Sequence, residues 1–178
     1  MISKLRFELS FKNISQLEDK LNFCKLNKIR EEKVLNVKLG IAYNPYLKKF
    51  YNDSSERERF DSKFSSGLIN SIWFQYGTDI KEIQNEVNYL KKVAKQEKIN
   101  LFGSLLIPSK QFLARFKYRP WKGVHISEKF LGSLDDFYGF TRNLVSFYKN
   151  NNITPVIETD FASSEKLDSV YSFFRNER

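Results

Sequence analysis

The chain has 178 residues and a formal net charge of +9, from 30 Lys and Arg against 21 Asp and Glu. Apolar residues make up 41% and aromatics 16%, which suits one packed domain and excludes a disordered chain. The lone cysteine, Cys24, cannot form an internal disulfide, and with His125 as the single histidine the sequence offers no zinc site of the usual kind.

No stretch approaches about 18 apolar residues, and the opening MISKLRFELSFKN lacks an apolar h-region. Neither a membrane span nor a signal peptide is expected, and the single thiol suits the cytoplasm. Seven Gly and four Pro leave no low-complexity linker. The basic residues are mixed with acids, as in LKKVAKQEK, and are densest at Lys48-Lys49 and Arg115-Lys117-Arg119-Lys122. This pattern fits a solvated surface or an anion-binding groove. No RRM, KH, zinc or helix-turn-helix signature favours nucleic acid.

Along the chain, strand and helix patterns alternate. KLRFELSF (4–11) reads as a short strand. ISQLEDKLNFCKL (14–26) reads as a helix with Ser15 and Glu18 as a capping box and Cys24 on its inner side. VLNVKLGIAYN (34–44) is the next strand, followed by a helix over 54–66 that opens on Ser54 or Ser55 and ends before Gly67. SSGLINSIWFQYGTDI (65–80) holds a second clear strand. A helix from about Asp79 to Gln96 follows, with Ile80, Ile83, Val87 and Leu90 at helical spacing. INLFGSLLIP (99–108) is a strand, and 109–118 a helix started by Ser109. A short helix at 126–134 with Ser127 as its cap, a helix at 135–152, a strand at 153–161 and a closing helix at 163–176 complete the pattern.

Near-continuous apolar strands alternating with helices indicate an α/β fold with a parallel sheet covered by helices. Four or five strands do not close an eight-stranded barrel, which takes about 250 residues. A partial, half-barrel sheet with its strands in chain order is therefore expected. In such folds function sits at the C-terminal tips of the strands. Gln75 stands at one of these tips, sharing a strand face with Trp73 and Ser71, while Tyr76, Phe74 and Ile72 share the other. An amide buried without a partner costs about 1–3 kcal/mol, so Gln75 either caps nearby backbone or faces a ligand.

The tips GIAYNPY, WFQYGTD and GSLLIPS resemble, in order and spacing, the second half of the methylenetetrahydrofolate reductase barrel. The likeness runs over residues 34–160. Ala42-Tyr43-Asn44-Pro45 answers the family's Ala-Tyr-Pro-like segment. Lys63, Gly67 and Gln75 answer its helix and Thr-Gln strand tip, GSLLIPSKQFLARF answers its seventh strand and the helix after it, and GVHISEKFLGSLDD answers the helix start that follows.

That resemblance implies a flavin-dependent oxidoreductase of one-carbon metabolism, with FAD as cofactor, NAD(P)H as reductant and a folate-type substrate. By the same carry-over Ala42 and Tyr43 lie along the flavin, and Lys63 approaches its phosphates or ribityl chain. Gln75 bonds the pterin, while Gln111 and Phe116 hold the rest of the folate. Plainer roles stand beside these: a helix cap for Gln75, a solvated lysine for Lys63, ordinary helix core for Phe116 and a packed loop Trp for KYRPWKG.

The chain also departs from the family. Only about 33 residues precede the Ala-Tyr strand, leaving no room for the half that carries the acidic proton donor, and Glu8 is not assigned that role. The histidine expected after Ala-Tyr-Pro is replaced by YLKKFYND, and the last tip reads Glu158-Thr159-Asp160. The expectation is therefore a fragment or shortened relative, inactive alone, that associates with copies of itself or with a missing half. A non-catalytic folate- or flavin-binding subunit is the alternative.

Overall fold

A computed structural model of the chain describes residues 39–50, 55–65, 67, 69–94, 99–160 and 163–175. The strand expected over 4–11, the helix over 14–26 and residues Glu8, Ser15, Glu18 and Cys24 lie outside these. The described elements run in the order β1 (Leu39–Tyr43), a single 3-10 turn (Leu47–Lys49), α1 (Glu56–Phe64), β2 (Ile69–Phe74), α2 (Ile80–Val93) and β3 (Asn100–Ile107). There follow α3 (Lys110–Tyr118), α4 (Glu128–Leu131), α5 (Leu134–Asn150), β4 (Ile153–Thr159) and α6 (Ser164–Arg175). The four strands form one sheet in the order β1-β2-β3-β4, every pair parallel. This is an open α/β sheet consistent with a partial barrel.

Local chemistry starts the helices where the sequence suggests. Ser55, Asp79 and Ser109 each accept a bond from the backbone N–H three residues on, which satisfies donors that a first turn leaves free. Ser133 does the same for α5, which therefore begins at Leu134. Ser127 precedes α4 but makes no side-chain cap bond; its backbone N–H instead donates to Thr78 Oγ1 at 2.8 Å.

Strand alternation divides the sheet into two unlike faces. On one, Ile41, Tyr43, Ile72, Phe74, Leu105 and Ile107 meet the helices. Tyr43 packs edge-on against Phe60 of α1 at 5.7 Å and Phe74 at 5.9 Å, and its hydroxyl donates to Glu86 of α2. Tyr148 of α5 lies across Gly103 and donates to the Ser104 carbonyl at 2.9 Å. On the other face, Ala42 and Trp73 are exposed and Phe102 is half-buried. That face deepens only toward the tips, where Leu106 is buried. β4 forms an edge of the described sheet and contains Pro155.

Two glycines show how tightly the covered face is filled. A Cβ on Gly103 would stand 2.4 Å from the Tyr148 ring, a buried side chain tied at its far end. Gly103→Ala is expected to destabilise the protein by about 1–3 kcal/mol through overpacking. A Cβ on Gly139, inside α5, would meet nothing within 4 Å, so Gly139→Ala is expected to stabilise by about 0.5–1 kcal/mol through helix propensity. Denaturant unfolding of both variants checks the pair; a Gly103→Ala protein as stable as the wild type contradicts the packing described.

Candidate functional site

The exposed sheet face is built around two stacked aromatic rings. Trp73 of β2 and Phe102 of β3 are register partners, and their rings lie 4.3 Å apart at 16°. Trp73 Nε1 donates to Ser71 Oγ at 3.1 Å. The indole also leans over β1, since a Cβ on Gly40 would fall 2.6 Å from Nε1. One ring is thus held from three strands, yet Trp73 remains 42% exposed. A large aromatic side chain left this open on a strand layer is a ready surface for a planar ligand.

Gln75 stands two residues beyond Trp73 on the same side. Its backbone N–H donates to the Tyr43 carbonyl at 2.8 Å, extending the β1–β2 ladder past the last strand residue. Its neighbours Phe74 and Tyr76 are 1% exposed and turn to the helices, with Tyr76 stacked on Phe137 of α5. The half-buried Gln75 amide makes no side-chain hydrogen bond among the described residues. It is not a cap: Asp79 caps α2. Glu158 shares the exposed face at the tip of β4, level with Leu106.

A segment from the β3–α5 connection holds the tips of β1 and β2 together. Asn44 Nδ2 donates to the Gly123 carbonyl at 3.1 Å, and Thr78 N–H to the His125 carbonyl at 2.9 Å. Gly77 and His125 form an isolated parallel bridge. Tyr46 lies against the His125 ring at 5.8 Å and donates to the Gly77 carbonyl at 3.1 Å. Lys49 pairs with Asp79 at 2.8 Å and holds that carboxyl below its ordinary range. Trp121, in the same segment, packs edge-on to Phe112 of α3 at 4.9 Å.

The residues singled out from the sequence do not all gather at this face. Ala42 and Gln75 do. Tyr43 turns the other way, into the helix layer, where burial and the Glu86 carboxylate push its hydroxyl pKa far upward. Lys63 sits in the last turn of α1 on that same helix side, its pKa lowered by burial. Phe116 is core, packed with Phe112. Gln111 is exposed on α3. Asp160 is occupied in fixing the start of α3, accepting from Ser109 N–H at 2.8 Å and Ser109 Oγ at 2.6 Å. Phe102, which the sequence reading did not single out, is the stacking partner. Only strand register reveals it.

A concavity of about 430 Å³ lies on the helix side, lined by the 3-10 turn, α1 and α2. Two of its charged residues are engaged with each other: Arg57 makes two bonds to Glu86, at 3.0 and 3.1 Å, and stacks over Tyr89 at 4.5 Å. Among the described residues no group of three His, Cys, Asp or Glu is placed to hold a metal ion, and no helix is long and apolar enough to cross a membrane.

Burial holds the His125 imidazole below its ordinary pKa of 6.5, with Lys49 adding to the shift and Asp79 opposing it. The unfolded chain therefore takes up this proton first. Stability contributed by neutral His125 is expected to be present above pH 6.5 and to be lost as pH falls from there through the lowered folded value. Thermal melts of wild type and His125→Asn between neutral and mildly acidic pH test this; parallel profiles for the two proteins count against it.

No family model and no curated protein matches the sequence. Among solved structures the chain is similar to an uncharacterized protein from Clostridium thermocellum that binds two copies of 5-methyl-5,6,7,8-tetrahydrofolic acid. The TM-score is 0.55 at 16% identity, and the match covers 82% of this chain and 55% of that one. The likeness is one of fold, and the chain spans little more than half the length of that neighbour.

Proposed function

We propose that the chain binds a reduced folate, with the pterin seated against the exposed face of the sheet. The observation that carries this is the open Trp73–Phe102 pair with the unpartnered Gln75 amide above it. The rings offer an apolar plane, and the amide donates and accepts at once, as the edge of a pterin requires. The folate ligand of the structural neighbour, and the resemblance of the strand tips to methylenetetrahydrofolate reductases, support the choice of folate.

A second reading adds catalysis to the same face. The ordered tips at Ala42, Gln75 and the residues after Gly103 resemble those of the flavin-dependent reductases, in which FAD supplies hydride transfer after reduction by NAD(P)H. Under that reading Ala42, bare and exposed beside Trp73, gives a flat ring room to approach. Glu158 is then the carboxylate available on that face. Absorbance in the blue from the purified chain is the expected sign of bound flavin.

Titration of the protein with 5-methyltetrahydrofolate, read by calorimetry, tests the binding proposal. Gln75→Leu is expected to weaken binding by about tenfold, for one or two hydrogen bonds of about 0.5–1.5 kcal/mol each. Trp73→Ala removes the stacking plane and is expected to cost at least about as much. Both side chains are outside the packed core, so both variants are expected to fold. Unchanged folate affinity in the two variants rejects this face as the site.

A further inference from the structure

The exposed face carries a second polar side chain, Glu158, that nothing in the described fold pairs with. Its register partner on β3 is Leu106, four residues beyond Phe102, and the partner of Phe102 on β4 is Thr154, four residues before Glu158. Strand alternation therefore sets Glu158 on the side of the Trp73–Phe102 pair. The carboxylate is half-buried and makes no hydrogen bond or ion pair among the described residues. By contrast Glu56, Glu86 and Asp79 are each matched by a cation, Arg59, Arg57 and Lys49 in turn. Withdrawing a carboxylate partly from water without a partner is unfavourable, so Glu158 suits a donor that arrives from outside the fold. It also stands at the last strand tip, where the sequence departs from the reductase pattern.

Gln75 and Glu158 differ in what they can match. Gln75 is level with Ser104 by continuation of the β2–β3 register, and Glu158 is two residues further along and two strands away. At ordinary strand spacing their backbones are about 12 Å apart, with the small Ser104 side chain on the strand between them. That span accommodates one bicyclic ring between the two side chains. In a pterin, N3–H and the 2-amino group form an edge of two adjacent donors. An amide, with one donor side and one acceptor side, cannot match that edge; a carboxylate accepts from both. The Gln75 amide suits the mixed edges of the ring, where an acceptor stands beside an N–H.

We propose that Glu158 is the specificity-determining residue of this face: it accepts from N3–H and the 2-amino group, and so selects rings with a 2-amino-4-oxopyrimidine edge. This rests on the folate reading above for its ligand. Guanine presents the same two donors on a different ring, so the shared edge is what Glu158 recognises, and the two sources are separated by experiment.

The test is calorimetry of the full chain with 5-methyltetrahydrofolate, with its analogue carrying methyl in place of the 2-amino group, and with guanosine. Wild type is expected to bind the amino form at least about tenfold more tightly than the methyl form, the worth of one charge-assisted hydrogen bond. In Glu158→Gln, whose amide N–H groups oppose the ligand's donors, and in Glu158→Ala, the two forms should bind within about threefold of each other. Both variants are expected to melt with wild type, since no described residue is bonded to the carboxylate. A merely structural side chain weakens both forms alike and leaves their ratio unchanged; that result overturns the proposal. Equal affinity of wild type for the two forms, a comparison that needs no variant, also overturns it and leaves the folate reading intact. If guanosine binds wild type but not Glu158→Ala, and 5-methyltetrahydrofolate binds neither, the edge recognition stands and the folate reading falls. If neither 5-methyltetrahydrofolate nor guanosine binds wild type, both fall.

Discussion

All four described strands run the same way, and that single constraint shapes the molecule. Parallel neighbours need a crossover between them, and each crossover here contributes helix. The covered face must then be dry, so its side chains are large and its few polar atoms are paired. Tyr43 and Tyr148 show how. Each spans the layer with an aromatic ring and ends on an acceptor, Glu86 in one case and the Ser104 carbonyl in the other. Glu86 is in turn matched by Arg57 at the helix surface. The hydroxyl of Tyr76 is the exception, buried without a partner among the described residues.

The opposite face has no such obligation, and its composition follows. Gly40, Ala42, Ser71 and Thr154 are small or polar, and Trp73 and Phe102 project the aromatic surface. The two rings satisfy each other by stacking, the indole N–H is taken up by Ser71, and one broad plane is still left accessible. The tips above that plane owe their positions to contacts distant in sequence. Residues 123–127 bind backbone and side-chain groups at 44 and 78, so an element inserted after β3 fixes the ends of β1 and β2.

Most of the fold was legible in the sequence because the signals were local. Serine and aspartate caps at 55, 79 and 109 mark real helix starts, and the apolar runs at 69–74 and 100–107 are strands. The 3-10 turn at 47–49 was not foreseen, since its bonds are those of a single turn with no periodic pattern. The site was legible in part. Alternation alone sets Gln75 and Trp73 on one face. The same alternation separates Ala42 from Tyr43, so two adjacent strand residues cannot both lie along one ligand on that face. Phe116 follows the apolar stripe of α3 into the core. The Trp73–Phe102 stack and the Gly77–His125 bridge depend on register and on a long connection, which no local pattern encodes.

Pro155 has a consequence for how this sheet can grow. It sits in β4, an edge strand of the described sheet, and brings no N–H to the ladder. β1, at the opposite edge, runs Leu-Gly-Ile-Ala-Tyr with every amide intact. The row of backbone donors in β4 is interrupted at Pro155, whereas that of β1 is continuous. The two edges of the described sheet therefore differ in kind, one offering a broken row of backbone donors to a neighbouring strand and the other an unbroken one.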